Sequence, residues 1–247
     1  KGYIGTGRNS LTAAEYVDFW EFDPSANVWT QKADFGGGAR HAAVGFSVNN
    51  KGYVGTGVNV IGPVLFNDFW EYDPTSNTWN QKANFGGSSR YSACGFSIGN
   101  NGYIGTGYDG SWKKDFWEYN TATNTWIQKA DFGGIPRYEA ASFSIGVNGY
   151  IGTGENNISP LNDFWKYDAT NSSWTQIANF AGGARWSTLS FALLGNGYVG
   201  TGVNGSSAFD DIWSYSPFND TWNQVSTFAG GIRHDAVGFT IGNKGYS

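Results

Sequence analysis

The chain has 247 residues, 18% of them aromatic and 37 of them glycine, with only 14% charged and a net charge of −5. An acidic, charge-poor surface excludes a nucleic-acid partner, which needs a basic footprint. No apolar run approaches the roughly 18 residues of a membrane helix, and a single cysteine, Cys94, excludes an internal disulfide. No Met and no leader are present, so the expectation is a processed chain that has lost its targeting segment.

In chain order, the first element is the hexapeptide Gly-Tyr-Ile-Gly-Thr-Gly at Gly2. It returns with Ile or Val in its third place at Gly52, Gly102, Gly149 and Gly197, and begins a sixth time as Gly-Tyr-Ser at Gly245. The spacings are 50, 50, 47, 48 and 48. A period in this range marks a propeller or a stacked array, in which each unit buries its face on the next.

Each period predicts four short strands. A stretch such as His41 to Val48 alternates small and large apolar residues and reads as strand one. The Asn-Gly turn Asn49 to Gly52 leads into the hexapeptide as strand two. Next comes a variable loop, then Asp-Phe-Trp-Glu-Tyr-Asp from Asp68 as strand three, and then the turn Pro74 to Asn77. Thr78-Trp79-Asn80-Gln81 follows as strand four. This is an antiparallel meander. Glycines inside strand two would weaken an isolated strand, so they predict close approach of a neighbouring element.

With these features on the page, each unit resembles a kelch repeat, the four-stranded blade of a β-propeller. The likeness rests on the Arg before strand one (Arg40, Arg90, Arg137, Arg185, Arg233), the Gly-Tyr of strand two, and paired tryptophans such as Trp70 with Trp79. It covers the whole chain and departs in one place, Gly-Thr-Gly standing where kelch repeats carry a double glycine. The resemblance implies an all-β propeller over residues 1–247, and counting the strand copies makes it five-bladed, where kelch rings more often have six or seven blades. Its first blade would be completed by the last strand-one copy, His234 to Ile241, pairing with the N-terminal strand. A ring shared between chains, or part of a larger one, is the alternative. The Asp-Phe-Trp wording resembles secreted bacterial members most, which implies an extracellular or cell-surface protein.

Strand alternation sorts the loops onto two faces. Turns between strands one and two, and between three and four, are nearly constant and read as structural. The opposite face carries the unlike strand two–three loops and the approach to strand one, the usual geometry of a binding surface. There, each repeat Arg is followed by a ring: His41, Tyr91, Tyr138, Trp186 or His234. The next position holds Ala42, Ser92, Glu139, Ser187 or Asp235. If strand one is innermost, as in kelch propellers, these residues encircle the channel mouth.

Five guanidiniums facing one axis would suit carboxylate capture, and the rings would suit sugars. The competing reading has each Arg tying loops together. Trp112, outside the repeat phase in a polar loop, is a candidate stacking residue. The expected ligand set is Arg40, Arg90, Arg137, Arg185, Arg233, Tyr91, Tyr138, Trp186, Trp112, Glu139 and Asp235. The expected function is a monomeric, cofactor-free binding scaffold for a carbohydrate or an acidic protein segment. Sialic-acid mutarotases or epimerases within the kelch resemblance supply the enzymatic alternative. A recently amplified or engineered propeller without an evolved ligand is the third reading. His41 and His234 could bind a metal or shuttle protons, but Tyr and Trp in the same slot favour packing. No serine-hydrolase, phosphate-loop or metal-box motif is present.

Overall fold

A computed structural model describes all of residues 1–247. It contains no helix, hence none long and apolar enough to cross a membrane. The chain forms a five-bladed β-propeller. Blade one has three strands, Gly2–Gly5, Phe19–Asp23 and Val28–Gln31. Blade two has four: Val44–Val48, Lys51–Gly55, Phe69–Asp73 and Thr78–Gln81. Blade three runs through Cys94–Ile98, Asn101–Gly105, Phe116–Asn120 and Thr125–Gln128. Blade four comprises Ala141–Ile145, Asn148–Gly152, Phe164–Asp168 and Ser173–Ile177. Blade five comprises Leu189–Leu193, Asn196–Gly200, Asp211–Ser216 and Thr221–Thr227. Neighbouring blades meet along their first strands, which therefore line the axis.

One register serves the first three strands of every full blade, and only blade five shifts between strands three and four, at Ile212 and Trp213. The strand-one Phe faces the strand-two Tyr, as in Phe46 opposite Tyr53, with ring centroids 5.6 Å apart. That Tyr faces Glu71 across the next pair and donates a 2.7 Å hydrogen bond to its Oε2. Strand-two glycines do what the sequence predicts. A Cβ on Gly102, Gly149 or Gly197 would overlap the ring of Phe46, Phe96 or Phe143 in the preceding blade. Strand three sends its Phe and Tyr inward, so Phe69, Phe116, Tyr119 and Tyr167 are fully buried. Tryptophans cross between blades: the Phe69 ring meets Trp126 at 5.0 Å, and Trp126 Nε1 donates to the Ala83 carbonyl at 3.1 Å. Edge-to-face packing of this kind adds to the area each ring buries.

Strand one starts later than its pattern suggests. A left-handed residue stands two places before it at Ala42, Ser92, Glu139 and Ser187, and four places before Phe239 at Asp235, with φ between 50° and 57°. That conformation cannot continue a strand, so pairing begins at Val44 instead of His41.

The expected closure by strand pairing does not occur. Phe239–Ile241 pairs with Lys244–Tyr246, in the register Phe239 to Tyr246, and blade one keeps three strands. The physical reason is local. Gly242 and Asn243 form the same tight turn used in the other repeats, and Lys244-Gly245-Tyr246 repeats the wording of Lys1-Gly2-Tyr3. Pairing through a short turn costs far less loop-closure entropy than joining the two chain ends. The C-terminal hairpin packs between blade five and blade one. Phe239 lies against Gly2, and Tyr246 meets Phe22 with centroids 5.4 Å apart.

Candidate functional site

The arginines are clamps. Arg40, Arg90, Arg137 and Arg185 are at most 1% exposed. Arg90 binds both oxygens of Asp115, at 2.6 and 2.8 Å, and donates to the Thr106 carbonyl at 3.0 Å. Arg137 does the same with Asp163 at 2.8 and 2.7 Å, and with the Thr153 carbonyl at 2.8 Å. Arg40 takes Asp68 and Arg185 takes Asp211 in the same way. Each of these carboxylates also accepts from the indole two residues on, as Asp115 does from Trp117 at 2.8 Å. Burial pushes the Asp115 and Asp163 carboxyls up, but the guanidinium bonds and charge outweigh it and hold both below the ordinary range.

The expected positive ring at the mouth is therefore corrected. Four of its five members spend their donors on strand three of their own blade. The Gly-Thr-Gly departure has its reason here as well. Thr56, Thr106, Thr153 and Thr201 sit fully buried at φ 55–61°, which turns their carbonyls onto the Arg. Arg233 alone is exposed; the one hydrogen-bond partner of its guanidinium is the Gly230 carbonyl.

With the arginines withdrawn, the mouth is lined by the positions that follow them. The five left-handed residues are strung together across blade boundaries. Ser92 N–H donates to the Ala42 carbonyl at 2.9 Å, Glu139 to Ser92 at 3.0 Å, Ser187 to Glu139 at 3.2 Å, and Asp235 to Ser187 at 3.0 Å. Glu139 accepts side-chain bonds from Ser187 Oγ and, at 3.4 Å, Ser92 Oγ. Burial raises its carboxyl above the ordinary range, partly offset by Ser187 and reinforced by Asp235 and Glu155.

Beside Glu139 lies a cluster of four rings. Tyr91 meets Tyr108 at 5.7 Å and Tyr138 at 6.5 Å, Tyr108 meets Tyr138 at 6.1 Å, and Trp112 stands edge-on to Tyr108 at 5.0 Å. Burial and the Glu139 and Glu155 charges push the Tyr138 hydroxyl up to about 12. Trp112 also lines an open cleft of about 490 Å³ with Ser88, Lys113, Lys114, Trp117 and Gln128, and its buried Nε1 has no partner.

The other candidates fall apart from this cluster. Trp186 pairs by backbone with Val203, one blade further round. His41 Nδ1 lies 3.1 Å from both oxygens of Glu15, and His234 Nδ1 lies 2.7 Å from the exposed Asp235. The two histidines keep separate carboxylates, and no group of three or more His, Cys, Asp or Glu converges. Cys94 is a buried hydrophobe whose thiol burial pushes up to about 11.

Sequence reasoning missed Glu15, Tyr108 and Glu155. Tyr108 and Glu155 follow the Gly-Thr-Gly directly, and the backbone pairs each with the ring of the approach segment, Tyr91 with Tyr108 and Tyr138 with Glu155. The legible signal was the one variable position fixed immediately after a constant motif.

No protein-family profile and no curated protein sequence matches the chain. Solved structures do resemble it. The structure of a protein named YjhT superposes with a TM-score of 0.79 at 17% identity, over 96% of this chain and 83% of that one. At that identity the likeness is one of fold.

Proposed function

We propose that this protein is a non-enzymatic binding module that holds a carbohydrate at the axial mouth of its loop face. The observation carrying this reading is the grouping of Tyr91, Tyr108, Tyr138 and Trp112 beside Glu139. Ring faces match the apolar faces of a sugar, and carboxylate and phenol oxygens match its hydroxyls. A few polar groups converging within an aromatic wall is the ordinary composition of a small-ligand site. An acidic protein segment fits less well. The four clamped guanidiniums are occupied, and the carboxylates grouped at Glu139, Glu155 and Asp235 would repel it.

A glycan array read with wild type, Tyr138→Ala and Trp112→Ala tests the reading. Wild type is expected to give a glycan signal that Tyr138→Ala abolishes and Trp112→Ala weakens. Silence from wild type, or equal signal from all three, overturns it.

A second reading is favoured by the position of Glu139 at the mouth, held by Ser187 and Ser92 beside Tyr138, where burial raises its carboxyl above the ordinary range. A carboxyl poised to exchange protons beside phenols suits acid–base interconversion of sugar anomers. The acidic-sugar form of that reading lacks a free guanidinium in the cluster, so a neutral sugar is the better substrate. Exchange spectroscopy on neutral sugar anomers reads it directly; no acceleration over buffer excludes it.

A further inference from the structure

Blade three departs from the repeat at one place on the rim of its loop face. Two residues before the strand-three Asp, the other blades carry Tyr16, Phe66, Leu161 and Phe209; blade three carries Lys113, followed by Lys114. The backbone makes these positions equivalent. Each N–H donates to the carbonyl of the closing glycine of Gly-Thr-Gly, as Phe66 does to Gly57 and Lys113 to Gly107. Phe66 and Phe209 lay their rings on the guanidiniums of Arg40 and Arg185, with 3.8 Å between centroid and Cζ. Lys113 has no ring to offer and turns its ammonium to Asp109 at 2.8 Å. The cleft of about 490 Å³ opens at this place, with Trp112 and Trp117 in its wall.

Three residues lining that cleft carry N–H donors without an acceptor. Lys114 is exposed and forms no ion pair. The Gln128 amide makes no side-chain bond, whereas Gln31, Gln81 and Gln176 donate to Asp34, Asn84 and Asn179 three residues on. Trp112 Nε1 is the third. The carboxylates beside the cleft are already bonded, Asp115 to Arg90 and Trp117, and Asp109 to Lys113, Ser88 and Ser111. Trp112 also stands edge-on to Tyr108 at 5.0 Å, so one indole borders both the ring cluster of the mouth and the cleft. We propose that the cleft is a second subsite, for a sugar unit bearing a carboxylate or sulfate, next along the same chain from the unit held at the mouth. The inference rests on the carbohydrate reading of the mouth and adds a charge preference to it. Lys114 and the Gln128 amide meet the anionic group, and the tryptophans meet the sugar ring. An exposed ammonium is screened by salt, so the preference is salt-sensitive.

The test uses the whole chain and matched neutral, uronate and sulfated oligosaccharides of the glucose, galactose and mannose series, titrated calorimetrically at low and high salt. Wild type is expected to bind an acidic member about tenfold more tightly than its neutral match at low salt, and to lose the difference at high salt. A uronate or a sulfate ahead of the neutral form supports the inference and identifies the group. Lys114→Gln, a change at an exposed site, should cancel the preference while neutral binding persists, and Lys114→Glu should reverse it. Equal affinity of wild type for neutral and acidic members, or a preference that survives Lys114→Glu, overturns the subsite and leaves the mouth reading standing. Acidic binding that Tyr138→Ala leaves intact overturns the shared chain. No binding by any member removes the mouth reading and the subsite together.

Discussion

Arg90 and Arg233 occupy the same place in the repeat and do different things. The first is buried with a bidentate Asp115; the second lies in water. Removing one member of a buried ion pair strands the other, at a cost of about 3–5 kcal/mol. Arg90→Met is expected to show that loss in chemical denaturation, while Arg233→Met should stay within about 0.5 kcal/mol of wild type. Equal losses would contradict the clamp.

Glu139 makes a pH prediction. A carboxyl whose folded pKa lies above its unfolded value favours folding fully below the unfolded value, and that advantage is lost as pH rises through the folded one. At neutral pH the buried charge therefore works against the fold. Glu139→Gln should raise Tm at pH 7, with the difference fading below the ordinary Glu range. A variant less stable than wild type at pH 7 would contradict this.

At the scale of the element, much of the blade was legible in sequence. The second, third and fourth strands, their turns and the inter-blade tryptophans follow from alternation and from Asn-Gly and Asp-Pro punctuation. The start of strand one was not legible, because Ala42, Ser92, Glu139, Ser187 and Asp235 share a backbone conformation but no residue type. The Arg–Asp clamp was half legible. Both residues recur once per repeat, yet period alone does not say whether a guanidinium points to the axis or to its own blade. The strand-two glycines give a sharp test. Gly102→Ala would push a methyl into the Phe46 ring, and such overpacking costs about 1–3 kcal/mol. A neutral result would contradict the close stacking of blades two and three at this contact.

For the whole molecule, repetition builds the scaffold and departures from it build the site. The constant positions, Arg, Asp, Trp, Gly and Thr, are consumed in holding blades together. What remains for chemistry is the slot after each Arg, the position after each Gly-Thr-Gly, and the unlike loops, all on one face. Closure was the least legible feature. The sequence counts five copies of strands one, three and four and begins a sixth copy of strand two, but does not say whether the last strand one will seek Lys1-Gly2-Tyr3 or its own Lys244-Gly245-Tyr246. Chain proximity favours the second.

The most direct measurement is a crystal of the whole chain soaked with a mixture of neutral oligosaccharides. The account predicts sugar density against Tyr91, Tyr138 and Trp112 beside Glu139, with Arg90 and Arg137 still locked on their aspartates. Density on the opposite, constant face, or guanidiniums swung out to hold the ligand, would contradict it.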